Sequence, residues 1–151
     1  MKHILLLFLS FFAPVVWGQQ VEQFKLWPDK PEAGEAEIFV YHPAKNGKLA
    51  PAVLICPGGG YEYQSDRESE PIALEFLKRG YQAFILEYAV LEENETKGLL
   101  PYPQMDLAKA VAYVKEHQEV WNVDGEQITI LGCSAGGNLC ALYSGFYQQD
   151  W

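Results

Sequence analysis

The segment "ILGCSAGGNL", residues 130–139, sets a serine between glycines in the pattern G-x-S-x-G at residues 132–136. An apolar run precedes it and a helix-forming stretch follows, so Ser134 falls on a strand-to-helix turn that pushes its hydroxyl outward. Side chains at Gly132 and Gly136 would strike neighbouring backbone in so sharp a turn, and Gly137 lets the helix lie close to the sheet. A hydroxyl presented this way is suited to nucleophilic attack on a carbonyl. The same spacing also fits a glycine-rich connection without chemistry, so a second feature must decide between them.

That feature is "PGGGY", residues 57–61, which follows another apolar run. Consecutive glycines let backbone N–H groups turn toward one point, as acyl transfer requires when negative charge builds on the former carbonyl oxygen. Losing one such donor costs roughly 2.7–4 kcal/mol of transition-state stabilisation in known cases. The N–H of Ala135, at the positive end of the last helix, is a second source. A phosphate cradle is the rival reading, and it fails because no G-K-[ST] follows.

The elements that must position these loops are legible from periodicity. "FKLWP" and "AEIFVYHP" predict two early strands, and "AVLICP" (52–57), "YQAFILEY" (81–88) and "ITIL" (128–131) predict three buried ones. Asn46-Gly47 marks a surface turn and "WNVDGEQ" (121–127) another. Ser69 is expected to cap a helix with Pro71 in its first turn, an apolar stripe at Ile72, Ala73, Phe76 and Leu77, and a close at Lys78–Gly80. A second helix starts near Gln104 and buries Leu107, Ala108, Val111, Ala112 and Val114. The last carries Leu139, Leu142, Tyr143 and Phe146 at helical spacing. This alternation predicts an α/β fold, a mostly parallel sheet with helices on both faces. Both glycine-rich loops fall at carboxyl ends of strands, where such sheets bind ligands.

"CPGGGY", "GYQAFILEY" and "PYPQMDLAKAVAYVKEHQEVWNVDGEQITILGCSAGGNL" together resemble the N-terminal half of an α/β-hydrolase of the esterase/lipase type, similar to secreted acetyl xylan and feruloyl esterase-like carbohydrate esterases. The likeness runs from about Glu35 to the C-terminus. It implies Ser134 as nucleophile, Gly59, Gly60 and Ala135 as oxyanion N–H donors, and Tyr61 beside the acyl site. It implies an acylated carbohydrate or small ester as substrate, with no cofactor and no metal. Pro57 stands where many lipases carry histidine, a change that spares the backbone role.

In this fold the triad order is Ser, then Asp or Glu, then His. After Ser134 the only acid is Asp150, and no histidine follows. His117 and Asp124 are upstream candidates, but they sit where the third buried strand begins and Ser134 where it ends. A strand of about five residues separates those ends by ~17 Å, against a hydrogen-bond reach of ~3 Å. His117 reads better as a helix C-terminal cation and Asp124 as a turn former, while His42 stays open as an alternative base. Residues 19–151 are accordingly expected to form the N-terminal part of the hydrolase domain, incomplete at the C-terminus, stopped before the triad acid and histidine and inactive alone. "ITIL" would then be a bare apolar edge, prone to aggregation.

Bulk properties bound the rest. A length of 151 residues fits one domain. A net charge of −9 repels polyanions, so nucleic acid is not expected as a partner. Residues 1–18 read as a signal peptide cleaved after Gly18, with Val16 and Gly18 at the small-residue positions, which predicts a secreted or periplasmic protein. The apolar run is shorter than the about 20 residues of a membrane span, so stable insertion is not expected; a permanent anchor is the rival. Cys56, Cys133 and Cys140 leave at least one thiol unpaired. A Cys56–Cys133 bridge is conceivable, although buried free thiols are favoured. "NET" (94–96) matches a glycosylation acceptor, and "SDRESE" (65–70) reads as a solvated helix entrance rather than a metal site. Tyr61, Tyr63, Tyr88 and Tyr102 line a sugar cleft or pack at strand ends. Two rivals to the esterase remain: a peptidase of the same fold, and a non-catalytic domain that binds glycan. The sequence leaves oligomeric state open.

Overall fold

The computed structural model describes residues 21–30, 33–42, 48–91 and 102–148. The signal-peptide segment, the Asn46-Gly47 turn, the 94–96 acceptor and Asp150 lie outside the described residues. Five strands form one sheet: β1 (Val21–Lys25), β2 (Glu37–Tyr41), β3 (Ala50–Cys56), β4 (Gln82–Glu87) and β5 (Val123–Gly132), in the order β1-β2-β4-β3-β5. β3 runs parallel to β4 and to β5, while β2 is antiparallel to β1 and to β4. The sheet is therefore mixed: among the described strands β2 alone is reversed, and the parallel set carries both glycine loops.

Strand alternation decides which helix covers which face. Leu54 and Cys56 of β3, with Phe84 and Leu86 of β4, point to the side closed by α2 (Tyr102–Glu116), the short α3 (Gln118–Trp121) and α4 (Ala135–Phe146). Val53 and Ile55, with Ala83 and Ile85, point to the side closed by α1 (Glu70–Leu77) through Ala73, Ile72 and Phe76. Each fully buried Leu, Ile or Phe contributes about 1.5–3 kcal/mol relative to exposure, so β3 and β4 anchor both layers.

Three local expectations change. Pro71 lies in the first turn of α1, yet the Ser69 hydroxyl is not a cap. It donates to the Ser65 carbonyl at 2.9 Å, because a 3-10 turn at Asp66–Glu68 brings that carbonyl back within reach. The "WNVDGEQ" turn survives only as an irregularity inside a longer strand. Ala50 faces Val123 and Ala52 faces Ile128, so the residues between loop out, held where the Asp124 carboxylate accepts the Glu126 N–H at 3.1 Å. On α4, Leu139 is buried but Phe146 is 44% exposed, since no described strand lies beyond β5 beneath the helix. Among the described strands β5 pairs with β3 alone, and Ile128, Ile130 and Leu131 are half-buried.

Asp106 of α2 is 1% exposed and ties three segments together. It accepts the Trp27 indole N–H at 2.7 Å and the Ala89 N–H at 2.9 Å. Burial pushes its carboxyl above the ordinary aspartate range, against the opposing pull of those two donors.

Candidate active site

Ser134 is the second of the two residues between β5 and α4, with φ 50° and ψ −114°, a conformation rare for a residue other than glycine. What holds it there is close approach. A Cβ on Gly136 would lie 1.9 Å from the Cys56 carbonyl oxygen, and one on Gly132 would lie 2.1 Å from the Gly136 carbonyl oxygen. The Cys133 N–H donates to the Cys56 carbonyl at 3.1 Å, extending the β3–β5 ladder one step beyond the Cys56–Gly132 pair. Ser134 is exposed, and its hydroxyl makes no cap bond to the helix it precedes. The backbone is strained, and the Oγ has no hydrogen-bond partner among the described residues.

The triple glycine lies against this turn. A Cβ on Gly58 would sit 3.0 Å from the Cβ of Ser134 and 2.9 Å from the Cys133 carbonyl oxygen, so the two loops share one rim. Gly58 donates its own N–H to Glu68 Oε2 at 2.8 Å and cannot serve an oxyanion. Gly59 has φ 140°, and a Cβ there would lie 1.9 Å from the Tyr63 carbonyl oxygen. Its carbonyl accepts the N–H groups of Glu62 and Tyr63. The N–H groups of Gly59 and Gly60 have no acceptor among the described residues. That of Ala135, the first residue of α4, has no intrahelical partner by geometry.

Tyr61, also at positive φ (65°), donates its hydroxyl to Asn138 Oδ1 at 3.0 Å, linking the glycine loop to α4. Its ring meets Tyr88 edge-on at 5.8 Å. Tyr88 is buried and donates to the Pro57 carbonyl at 2.5 Å; burial first, then nearby Cys56, pushes its phenol well above the ordinary range, so it stays a donor. Of the other tyrosines, Tyr63 and Tyr102 are exposed.

The candidate bases lie on the other rim. His42 follows Tyr41, which pairs with Ala83 at the start of β4. Its ring is held between Gln82 Nε2 (2.8 Å) and Glu22 Oε1 (3.2 Å). His117 stacks on Trp121 at 4.9 Å and its Nδ1 meets the Tyr113 carbonyl at 2.8 Å. Asp124 lies near the entry to β5. All three are at the amino ends of the parallel strands, which rules out His42 as well as His117 as partners for Ser134. A groove of about 360 Å³ between α2, β5 and α4, lined by Val111, Ile128, Ile130 and Tyr143, shares no residue with the Ser134 rim.

All three cysteines are free. Cys56 is wholly buried, and its thiol meets Cys140 rather than Cys133. A hydrogen bond to Cys140, and then burial, push the Cys56 thiol up, and the same bond pulls Cys140 down. Cys133 and Cys140 are half-buried. Among the described residues no cluster of His, Cys, Asp or Glu is placed to hold a metal, and no helix is long and apolar enough to cross a membrane.

Residues 38–150 match the sequence pattern described as BD-FAE, a stretch that includes both loops. The chain belongs to the BD-FAE family. This family is of the α/β-hydrolase type. The BD-FAE chain is similar to an acetylxylan esterase of Xylanibacter ruminicola, at 27% identity over 138 residues, or 90% of this chain and 27% of that one. A solved carboxylesterase of Lactobacillus plantarum superposes with a TM-score of 0.75 at 29% identity, covering 86% of this chain and 47% of the other. An acetyl ester-xyloside bifunctional hydrolase of Caldicellulosiruptor lactoaceticus superposes at 0.71 with 28% identity, covering 80% of this chain and 45% of the other. The chain spans 14–27% of the length of the curated relatives it matches and 45–51% of the solved ones.

Three residues beside the BD-FAE loops escaped the sequence reading. Glu68 belongs to "SDRESE", where Asp66 and Arg67 are exposed as expected but Glu68 turns inward to Gly58. One inward carboxylate in a charged run leaves no periodic signal. Tyr88 is among the tyrosines expected to line a sugar cleft or pack at strand ends, and nothing in its position announces the bond to Pro57. Asn138 was findable: it is a polar residue four positions after Ser134, so the two share one face of the helix start.

Proposed function

We propose that this chain supplies the nucleophile and oxyanion site of a serine carboxylic-ester hydrolase that removes acyl groups from plant polysaccharide or related sugar esters. The observation that carries the reading is the strained, exposed Ser134 set 3.0 Å from where a Gly58 side chain would begin. Ser134 Oγ attacks the ester carbonyl carbon while a histidine takes its proton. The N–H groups of Gly59, Gly60 and Ala135 stabilise the oxyanion. Collapse breaks the bond to the sugar oxygen, which leaves protonated, and water then hydrolyses the acyl-serine. Tyr61 flanks the acyl group. None of these steps requires a cofactor or a metal.

The histidine and its orienting acid come from polypeptide outside the described residues, because both described histidines are on the opposite rim. The 151-residue chain alone is then inactive or nearly so. Names of similar proteins, an acetylxylan esterase and an acetyl ester-xyloside hydrolase, support acetylated xylan as the substrate class. The leader at residues 1–18 supports export to that substrate.

The test compares the 151-residue chain with a form extended through the reading frame that follows codon 151 in the source DNA. The extended form is expected to hydrolyse 4-nitrophenyl acetate and to release acetate from acetylated xylan, and Ser134→Ala to abolish both. Hydrolysis that survives Ser134→Ala would refute the nucleophile assignment. Faster cleavage of peptide amides than of sugar esters would favour the peptidase, and xylan binding without hydrolysis the glycan-binding reading.

A further inference from the structure

We infer that Glu68 and Tyr88 are positioning residues that clamp the peptide unit joining Pro57 to Gly58 and thereby aim the oxyanion amides that follow it. This rests on the proposed role of Ser134. The clamp is visible as two hydrogen bonds to opposite ends of a single amide. Tyr88 donates to the Pro57 carbonyl at 2.5 Å, and the Gly58 N–H donates to Glu68 Oε2 at 2.8 Å. With carbonyl and N–H both fixed, the peptide plane cannot rotate, and Gly59 and Gly60 inherit its direction.

Both clamp residues are themselves held. The Glu68 N–H donates to the Ser65 carbonyl at 2.9 Å, and the Ser65 N–H donates to the Gly58 carbonyl at 2.9 Å, so the loop closes on the residue that it grips. The Tyr88 carbonyl accepts Gln64 Nε2 at 2.8 Å, tying the second partner to the same loop. Gly58 has no room for a side chain, since a Cβ would lie 2.6 Å from Glu68 Oε2 and 3.0 Å from the Ser134 Cβ. The carboxylate is thus packed against the turn that carries the nucleophile while its charge is spent on the one amide that faces away from the oxyanion.

Misplacing a reacting group by about 1 Å can cost on the order of a hundredfold in rate. Glu68→Ala in the extended enzyme should therefore lower kcat for 4-nitrophenyl acetate by roughly tenfold to a hundredfold, with KM changed by less than about threefold. Affinity for a trifluoromethyl ketone, which forms an oxyanion on Ser134, should fall in parallel. Glu68→Gln keeps an acceptor for Gly58 and should stay within about threefold of wild type. Tyr88→Phe should lower kcat several-fold at an unchanged melting temperature. In the 151-residue chain, both Glu68→Ala and Tyr88→Phe should speed amide hydrogen exchange at Glu62, Tyr63 and Ser65, whose N–H groups bond to the Gly59 and Gly58 carbonyls, and leave β3 protected.

Wild-type kcat in Glu68→Ala, or a fall in Glu68→Gln as deep as in Glu68→Ala, overturns the clamp. If Glu68→Ala does not fold, Tyr88→Phe decides, and wild-type turnover there overturns it. Unchanged exchange at Glu62, Tyr63 and Ser65 in both variants does so without any activity measurement. Ser134→Ala separates the two levels. Retained hydrolysis in that variant sinks the nucleophile reading itself, whereas its loss beside a wild-type Glu68→Ala sinks only the clamp.

Discussion

The two rims of the parallel strands carry different polar residues and hold them in opposite ways. At the amino rim, His42, His117 and Asp124 each have at least one polar side-chain atom bonded to a neighbour: Gln82 and Glu22, the Tyr113 carbonyl, and the Glu126 N–H. At the carboxyl rim, Ser134 has a hydroxyl without a partner among the described residues, a backbone held at positive φ, and flanking glycines where an added Cβ would meet backbone within 2.2 Å. Titratable side chains alone do not mark a site. Unspent donors and backbone strain sustained by packing are what the proposed site rests on.

The sharpest way to break this contrast is to remove one hydroxyl and two imidazoles in parallel. In the extended enzyme, Ser134→Ala should lower kcat by on the order of 10⁴ or more. His42→Ala and His117→Ala should leave kcat within about twofold, because neither ring reaches the reacting atoms. Equal losses from serine and histidine variants would erase the distinction between the rims.

The next effect is on folding. Gly136→Ala puts a methyl 1.9 Å from the Cys56 carbonyl, which is backbone and cannot swing away. Overpacking of this kind costs about 1–3 kcal/mol, occasionally more, and chemical denaturation should place this variant at or above the upper end. An alanine at Gly145, where nothing lies within 4 Å, should stabilise α4 by about 0.5–1 kcal/mol instead.

Asp106 supplies a pH test of intermediate size. Burial raises its folded-state value above the unfolded one, so the folded protein binds the extra proton across that interval. Stability from this group is full below the ordinary aspartate value and is lost as pH rises through the raised value. Asp106→Asn mispairs one of the two donors and should cost about 1–3 kcal/mol at low pH. The gap between wild type and variant should then narrow as pH rises above about 4; a gap that widens instead would reverse the assigned shift. The smallest effect belongs to the amino rim: His117→Leu forfeits the Trp121 stack and should cost about 0.5–1.5 kcal/mol by thermal denaturation.

Much of this arrangement was legible before any coordinates. The apolar runs at 52–57 and 81–88 announced β3 and β4, which are covered on both faces, whereas the run at 128–131 announced the strand β5 but not that it is only half-buried. Gly132 and Gly136 announced close approach, and their contacts have that form. The places where the reading stopped are those where a side chain acts across the fold. Glu68 is adjacent in sequence to exposed charges yet grips Gly58, ten residues away. Asp106 bonds to Trp27 across 79 positions. Ser69 was assigned a cap from its local position, and a carbonyl four residues back competed successfully for the same hydroxyl. Periodicity reports which face a residue occupies, and it carries no information about which distant donor waits there.

The indole of Trp27 gives the Asp106 bond an optical consequence. Its N–H faces a buried carboxylate at 2.7 Å, so undocking of the segment after β1 from α2 would hand that N–H to water and shift its emission to the red. The protein thus carries its own fluorophore at the joint between its first strand and the helix beneath the sheet. Partial opening there would be readable by light well before the strands themselves separate.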